Sequence, residues 1–223
     1  MMASMNGDGR EALIRAGIRL LERDGVEALR ARRVTGEAGT STMAVYTHFG
    51  GMTGLIDAIA AEAFARFAQA LTEAPQTDDP VADFFTGAIA YRRFALENPQ
   101  RYQLMFGISS PEAITRTRAD LTVTGSARRA ERSVSFAALL NGVRRMIEAG
   151  RIRDDGEVVM AGRLWSVGHG AVMLEMAGFF GHEEHGFTQI LGPLIADVLV
   201  GMGDDRAKTT QSMVTAAAAV GLP

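Results

Sequence analysis

The chain contains no cysteine. That absence excludes disulfides, a thiolate metal site and a cysteine nucleophile. Long apolar runs are missing too. The two longest, 171–180 and 190–200, are broken by Glu175 and Asp197, and each is shorter than the roughly 20 residues a membrane span requires. The opening residues MMASMNGDGREAL hold no apolar stretch after their first basic residue, so no secretory leader is expected and the cytoplasm is the expected compartment. Lysine is nearly absent, with Lys208 alone among 23 basic residues. Signatures of catalysis are lacking as well: there is no G-x-S-x-G, no P-loop and no G-x-G-x-x-G. His182-Glu183-Glu184-His185 has a superficial metal look. Its spacing is not H-E-x-x-H, and Gly181 and Gly186 flank it, so it reads as a polar turn between helices. No metal and no cofactor are expected, and a small helical enzyme is the least supported alternative.

What is present suits a globular fold. The chain has 223 residues, 47% of them hydrophobic, enough for one large or two small domains with a sizeable core. Net charge is −3, unevenly spread: residues 1–56 carry seven arginines against six acids, while the remainder carries 16 basic and 20 acidic residues. Arg30, Arg32 and Arg33 cluster. Such a cluster is either a solvated helix face or a footprint for phosphates.

The periodicity is helical throughout. Residues 11–23 place Leu13, Ala16, Gly17, Leu20 and Leu21 on one face, and Gly25 ends that helix. A second helix covers 31–38 and a third 42–48, joined by Ala38-Gly39-Thr40-Ser41. Glycine leaves a helix in the left-handed conformation without steric cost, and Ser41, or Thr40, can accept from the amides opening the next helix. The small core predicted for 10–50 is Ile14, Leu20, Leu21, Leu29, Val34, Ala38, Val45 and Phe49. A long helix is expected over 54–73, with Thr53 as its cap and Leu55, Ile59, Ala63, Phe67, Ala70 and Leu71 on its apolar side. The run 75–80 (PQTDDP) reads as a linker. Further helices are expected over 81–97, 100–106, 127–149, 157–180 and 187–200, with 112–125 ambiguous. The predicted fold is all-α, with about nine to ten helices. A flexible arm occupies 1–9, a helix-turn-helix domain 10–56, a helical regulatory and dimerisation domain 57–203, and a frayed or disordered tail 204–223.

The stretch from Leu13 to Ala58 resembles the DNA-binding domain of TetR/AcrR-family transcriptional regulators. The likeness rests on Gly25 closing the first helix, on Ala38-Gly39-Thr40-Ser41 and on Tyr46-Thr47-His48-Phe49. Two departures stand out: Thr40 occupies a turn position that is apolar in the family, and Met52 occupies the place of a lysine that commonly meets a phosphate. In the C-terminal half, Trp165-Ser166-Val167-Gly168-His169-Gly170 resembles the ligand-binding subgroup named for its Trp/His-Gly signature. The resemblance implies a dimeric repressor that a small molecule releases from an operator in double-stranded DNA. A constitutive DNA-binding regulator without effector is the alternative.

On this reading the helix 42–48 enters the major groove. Val45 and Phe49 face inward, so Thr42, Met43 and Thr47 become the base readers. Tyr46 and His48 reach phosphates, as the resemblance implies, and Arg30, Arg32, Arg33 and Ser41 join them in positioning. The effector pocket is expected from Tyr102, Phe106, Phe136, Trp165, His169 and Met173, although the same residues would serve equally as ordinary core. His169 either meets the ligand or is satisfied by a carbonyl, and Glu175 either faces a cationic ligand or is solvated. The homodimer interface is expected from Leu164, Val172, Met176, Phe179, Leu194 and Val198, on two helices that could instead be plain core.

Overall fold

A computed structural model describes residues 2–74, 76–106, 130–180 and 185–222. Among these residues every regular element is helical. The α-helices are α1 (Met2–Asp24), α2 (Ala31–Ala38), α3 (Thr42–Phe49), α4 (Met52–Thr72), α5 (Pro80–Glu97), α6 (Pro99–Phe106), α7 (Ala130–Glu148), α8 (Glu157–Met176), α9 (Gly192–Gly201) and α10 (Arg206–Ala219). A 3₁₀ turn, Val26–Ala28, follows α1, and a π-helical turn, Gly186–Leu191, precedes α9. The residues divide into two units. One comprises the described residues of Met1–Arg66 and Asn98–Asp120, the other those of Phe67–Glu97 and Leu121–Pro223. Helix α4 runs in the chain from one to the other.

The first unit is built on α1, which extends to Met2 through residues expected to form a flexible arm. Its core gathers Leu13, Leu20 and Leu21 from α1, Leu29, Val34 from α2, Val45 from α3, and Leu55 and Ile59 from α4. Of the eight core residues expected, Ile14, Ala38 and Phe49 are only partly buried. Their place is taken by Leu55, Ile59 and, from α6, Leu104. A three-helix head of this size buries too little apolar surface by itself, and each added aliphatic contributes about 1.5–3 kcal/mol. Arg101 of α6 is buried and donates from Nε to Glu22 of α1 at 2.7 Å. Helix α4 opens at Met52, one residue before the expected cap at Thr53, because the amide of Leu55 already bonds the carbonyl of Gly51.

In the second unit α5 packs against α7, α8 and α10. Val81, Phe85 and Ile89 line its buried face, and Asn98-Pro99 stops it because a residue before proline is pushed out of the helical region. The run expected as a linker is a hydrogen-bonded corner over its described residues. Asp79 Oδ1 accepts from the amides of Val81 and Ala82 at 3.0 and 3.1 Å, and so caps α5 by satisfying two of its otherwise unpaired donors. The Thr77 hydroxyl donates to Asp83 at 2.8 Å, and Arg145 donates to the same carboxylate.

Helix α8 stops at Met176 rather than at the expected Gly181, which lies outside the described residues. Gly178, at φ 85°, turns the chain, and its amide bonds the Glu175 carbonyl at 2.8 Å. The single helix expected over 187–200 is interrupted because Pro193 has no N–H for the carbonyl one turn back and its ring crowds that carbonyl; the chain widens into the π-helical turn before α9, the usual accommodation. The tail 204–223, expected to be frayed or disordered, is largely helix α10. Asp205 caps it by accepting from the Lys208 amide at 2.9 Å, and Thr209, Ser212 and Ala216 are buried. The ambiguous 112–125 lies outside the described residues.

Candidate nucleic-acid interface and effector site

Helices α2 and α3 are joined by a turn in which Gly39 sits at φ 67°, ψ 34°. The Thr40 amide bonds the Thr35 carbonyl at 2.9 Å, so the left-handed glycine closes α2 as such a residue does in a C-terminal capping motif. Ser41 occupies the cap position of α3 at φ −90°, ψ 156°, yet its side chain makes no capping bond. The expected acceptor role of Ser41 is therefore not realised among the described residues.

Val45 is fully buried beneath α3. With that residue fixed inward, the helical period turns Thr42, Met43, Tyr46 and Thr47 outward, and all four are exposed. Met43 is 68% and Tyr46 62% exposed, far more than packing alone would leave for large side chains. The Thr47 hydroxyl donates to the Met43 carbonyl at 3.0 Å, which leaves its methyl and lone pairs outward. His48 is half-buried against α1: a Cβ on Gly9 would come within 3.1 Å of its Nε2. Arg10 lies over the Phe49 ring, 5.3 Å from the centroid. Met52 packs partly buried against the core of this unit.

The arginines of the unit are mostly paired. Arg19 donates to Glu37 at 2.9 Å, Arg23 meets Asp24 and Glu37, and Arg33 donates to Asp24 at 2.5 Å. A hydrogen bond from Arg23 holds the Asp24 carboxyl below its usual range, and one from Arg19 does the same for Glu37. Arg30 bonds the Glu27 carbonyl at 3.1 Å. Of the three arginines expected to meet phosphates, Arg32 alone is exposed without a carboxylate within reach.

In the second unit the Trp165 Nε1–H donates to the Tyr91 hydroxyl at 3.3 Å, and that hydroxyl lies 3.3 Å from His169 Nδ1. The hydroxyl oxygen accepts from Trp165, and its bond with His169 Nδ1 runs in the direction that the imidazole tautomer sets. Burial pushes the His169 pKa down, which agrees with a neutral ring. Phe136 meets Trp165 edge-on at 6.4 Å, and Trp165 and His169 lie 5.8 Å apart. Tyr91 also packs edge-on against Phe67 at 5.0 Å. Met173 is half-buried on the same helix. Tyr102 and Phe106 belong to the first unit, where Tyr102 is fully buried and packs on Phe106 with centroids 4.7 Å apart.

Glu175 is neither solvated nor open to a cation. It is buried and accepts from Arg92 Nε at 2.9 Å and Nη2 at 2.7 Å. Arg92 is not marked by any sequence motif, and its place on the buried stripe of Phe85 and Ile89 is the one signal of its role. Two residues expected at a subunit interface, Leu164 and Val172, are buried in the chain's own core. Met176 and Val198 are half-buried, while Phe179 and Leu194 are exposed, as are Leu174 and Ile190. The sequence pattern marked these helices as apolar all round and could not separate the inward from the outward side. His185 is exposed, and residues 182–184 lie outside the described residues. Among the described residues no helix is long and apolar enough to cross a membrane.

A set of described elements that is all helical, with a first unit presenting a short exposed helix across a glycine turn, has the layout of a helix-turn-helix DNA-binding regulator. The model of bacterial regulatory proteins of the tetR family matches residues 13–59, and that of the tetracyclin repressor-like C-terminal domain matches residues 84–198. The chain belongs to the TetR family of transcriptional regulators. No curated protein sequence matches it significantly. Among solved structures it is similar to a protein of unknown function from Rhodococcus sp. RHA1, at 23% identity and TM-score 0.65, covering 88% of this chain and 96% of that one. It is also similar to RolR in complex with resorcinol, at 18% identity and TM-score 0.64, covering 95% of each chain. The TetR-family regulator PfmR from Thermus thermophilus aligns at 18% identity and TM-score 0.57, over 86% of this chain and 99% of that one.

Proposed function

We propose that the protein is a homodimeric repressor that binds a palindromic operator through α3 and is released by a small apolar effector held in its second unit. The observation that carries the DNA half is the exposure of Thr42, Met43, Tyr46 and Thr47 above a fully buried Val45. Thr42, Met43 and Thr47 are assigned to base edges, the threonine and methionine methyls suiting a thymine methyl. Tyr46 and Arg32 are assigned to phosphates, with Ser41 and the first turn of α3 offering further donors. Few of these groups make bidentate base contacts, so DNA shape carries much of the specificity.

One reading helix makes a small footprint, and a dimer places two about 34–36 Å apart to meet a palindrome. Exposed Leu174, Phe179, Ile190 and Leu194 supply apolar area for that dimer. For the effector, the aromatic set around Trp165, Tyr91 and His169 offers ring faces and neutral hydrogen-bonding groups, a match for a small neutral aromatic. That RolR binds resorcinol is consistent with such a ligand class. The compartment is the bacterial cytoplasm.

The test is a selection of duplexes from random DNA by the full-length protein, followed by gel shift of the selected duplex. Tyr46→Ala is expected to abolish specific binding while the dimer persists in sedimentation. Undiminished binding by that variant would remove the basis for the reading-helix assignment. Thermal-shift screening with small neutral aromatics tests the effector half, and a complete lack of response would favour a constitutive regulator.

A further inference from the structure

We propose that Arg10 is a DNA phosphate anchor and stands in for the cation that the α3–α4 corner lacks at Met52. The inference rests on the DNA-reading role of α3 argued above. Position 52 carries an uncharged side chain that packs partly buried on the core, so nothing at that position can neutralise a phosphate.

Arg10 occupies the same corner. Its guanidinium lies over the ring of Phe49, three residues before Met52, and it is exposed. Gly9 brings α1 against this end of α3, since a Cβ there would approach His48 within 3.1 Å. The approach fixes Arg10 at the C-terminal edge of the reading helix. A helix seated in the major groove has a phosphate backbone along each flank, so an arginine at its edge is aimed at phosphate rather than at base.

The charge pattern points to the same residue, together with Arg32. Arg15, Arg19, Arg23, Arg30 and Arg33 each have a carboxylate within 4 Å. Among the described arginines of residues 1–56, Arg10 and Arg32 are the two that do not. An ion-paired arginine must give up its partner to hold a phosphate, whereas Arg10 gives up nothing. The contact with the ring uses none of the guanidinium's N–H donors in a bond to a carboxylate. The N–H donors around its edge stay available for a phosphate fork, and the ring limits the rotamers that must be frozen on binding.

The test uses the full-length protein and a duplex it has selected from random DNA, with affinity measured by fluorescence anisotropy over a range of salt. Arg10→Ala is expected to weaken binding several-fold and to lower the slope of log affinity against log salt by about two for the dimer, one for each protomer. Arg10→Lys should keep the slope, and Met52→Lys added to Arg10→Ala should recover it. Arg66→Ala, which removes a surface pair with Glu62, serves as the control. Weaker binding at an unchanged slope would mean that Arg10 only supports Phe49, and it would overturn the proposal, as would wild-type behaviour of Arg10→Ala. A lowered slope that Met52→Lys leaves unrestored would overturn the claim that Arg10 replaces the missing cation. Failure of the wild-type protein to select any duplex would instead sink the DNA-reading function itself, and Arg10 with it.

Discussion

The guanidinium of Arg92 and the carboxylate of Glu175 form a two-bond fork inside the second unit, with both side chains more than nine-tenths buried. The pair joins α5 to α8. Gly186 completes the enclosure: any Cβ there would collide with the Glu175 carboxylate. Removing water from two charges costs several kcal/mol per ion, and only close geometry offsets that cost. Arg92→Ala is therefore predicted to lower stability by about 3–5 kcal/mol, because it strands a buried carboxylate. The double variant Arg92→Met/Glu175→Leu should recover most of that loss. Denaturant melts of the two variants check this. Equal losses in both would mean that packing volume matters at this site and the charge pairing does not.

His169 gives a second prediction. Burial pushes its folded pKa below the ordinary value of 6.5. A histidine with a lowered folded pKa binds fewer protons folded than unfolded, so stability increases with pH across the window between the two values. Stability from this group is full above about pH 6.5 and declines as pH falls toward the folded pKa. His169→Gln should flatten the pH dependence of the thermal midpoint below about pH 6.5 relative to wild type. The same variant loses the ring nitrogen that faces the Tyr91 hydroxyl at 3.3 Å, so the proposed effector response should weaken as well. An unchanged pH profile would show that His169 does not titrate in this window.

The helix-turn-helix was almost wholly legible in the sequence, and the reason is local. Gly39 permits the left-handed backbone that the turn needs, and Val45 fixes which side of an eight-residue helix faces in. Both constraints act over a few residues. What the sequence concealed depends on partners distant in the chain. Arg101 reaches Glu22, Arg92 reaches Glu175 and Arg151 reaches Asp79 and Asp204. The polar tail hides its role for the same reason: Ser212 looks like a solvated residue until its distant partner Asp79 is known. Leu164 and Val172 were assigned to the wrong side of an apolar helix, because hydrophobicity all round carries no phase.

The third prediction concerns that tail. Arg151 donates to Asp204 at 2.7 Å and to Asp79 at 3.0 Å, while Ser212 donates to Asp79 at 2.6 Å. The network thus fastens α10 to the cap of α5. Burial raises the Asp79 pKa, but the Ser212 hydroxyl, the Ala82 and Val81 amides and Arg151 outweigh it and hold the carboxyl below its usual range. Asp204 is almost fully buried. Arg151→Met should therefore cost about 3 kcal/mol and raise hydrogen exchange in residues 206–219 above that elsewhere in the unit. A depressed carboxyl also contributes stability that is present above about pH 3.9 and lost as pH falls through its folded pKa. Asp79→Asn should remove that acid-side contribution. Uniform exchange across the unit in Arg151→Met would show that the network does not hold α10 in particular.

Two helical glycines yield a prediction in which the sign itself is decided by space. Glycine inside a helix normally costs about 1 kcal/mol relative to alanine, so an alanine should stabilise wherever its Cβ has room. At Gly87 of α5 nothing lies within 4 Å of an added Cβ. Gly87→Ala is predicted to raise stability by about 0.5–1 kcal/mol. At Gly54 of α4 an added Cβ would run into the Phe49 carbonyl oxygen, a backbone atom that no rotamer change can move. The clash should reverse the sign and cost about 1–3 kcal/mol, the range for forced overpacking. Because Phe49 is the last residue of α3, relief can come only by shifting the reading helix off α4. Gly54→Ala should thus lose affinity for the selected duplex by more than its loss of stability explains, at a temperature where the variant is still folded. Full retention of DNA affinity in a measurably destabilised Gly54→Ala would show that the α3–α4 contact sets stability without setting the position of the reading helix.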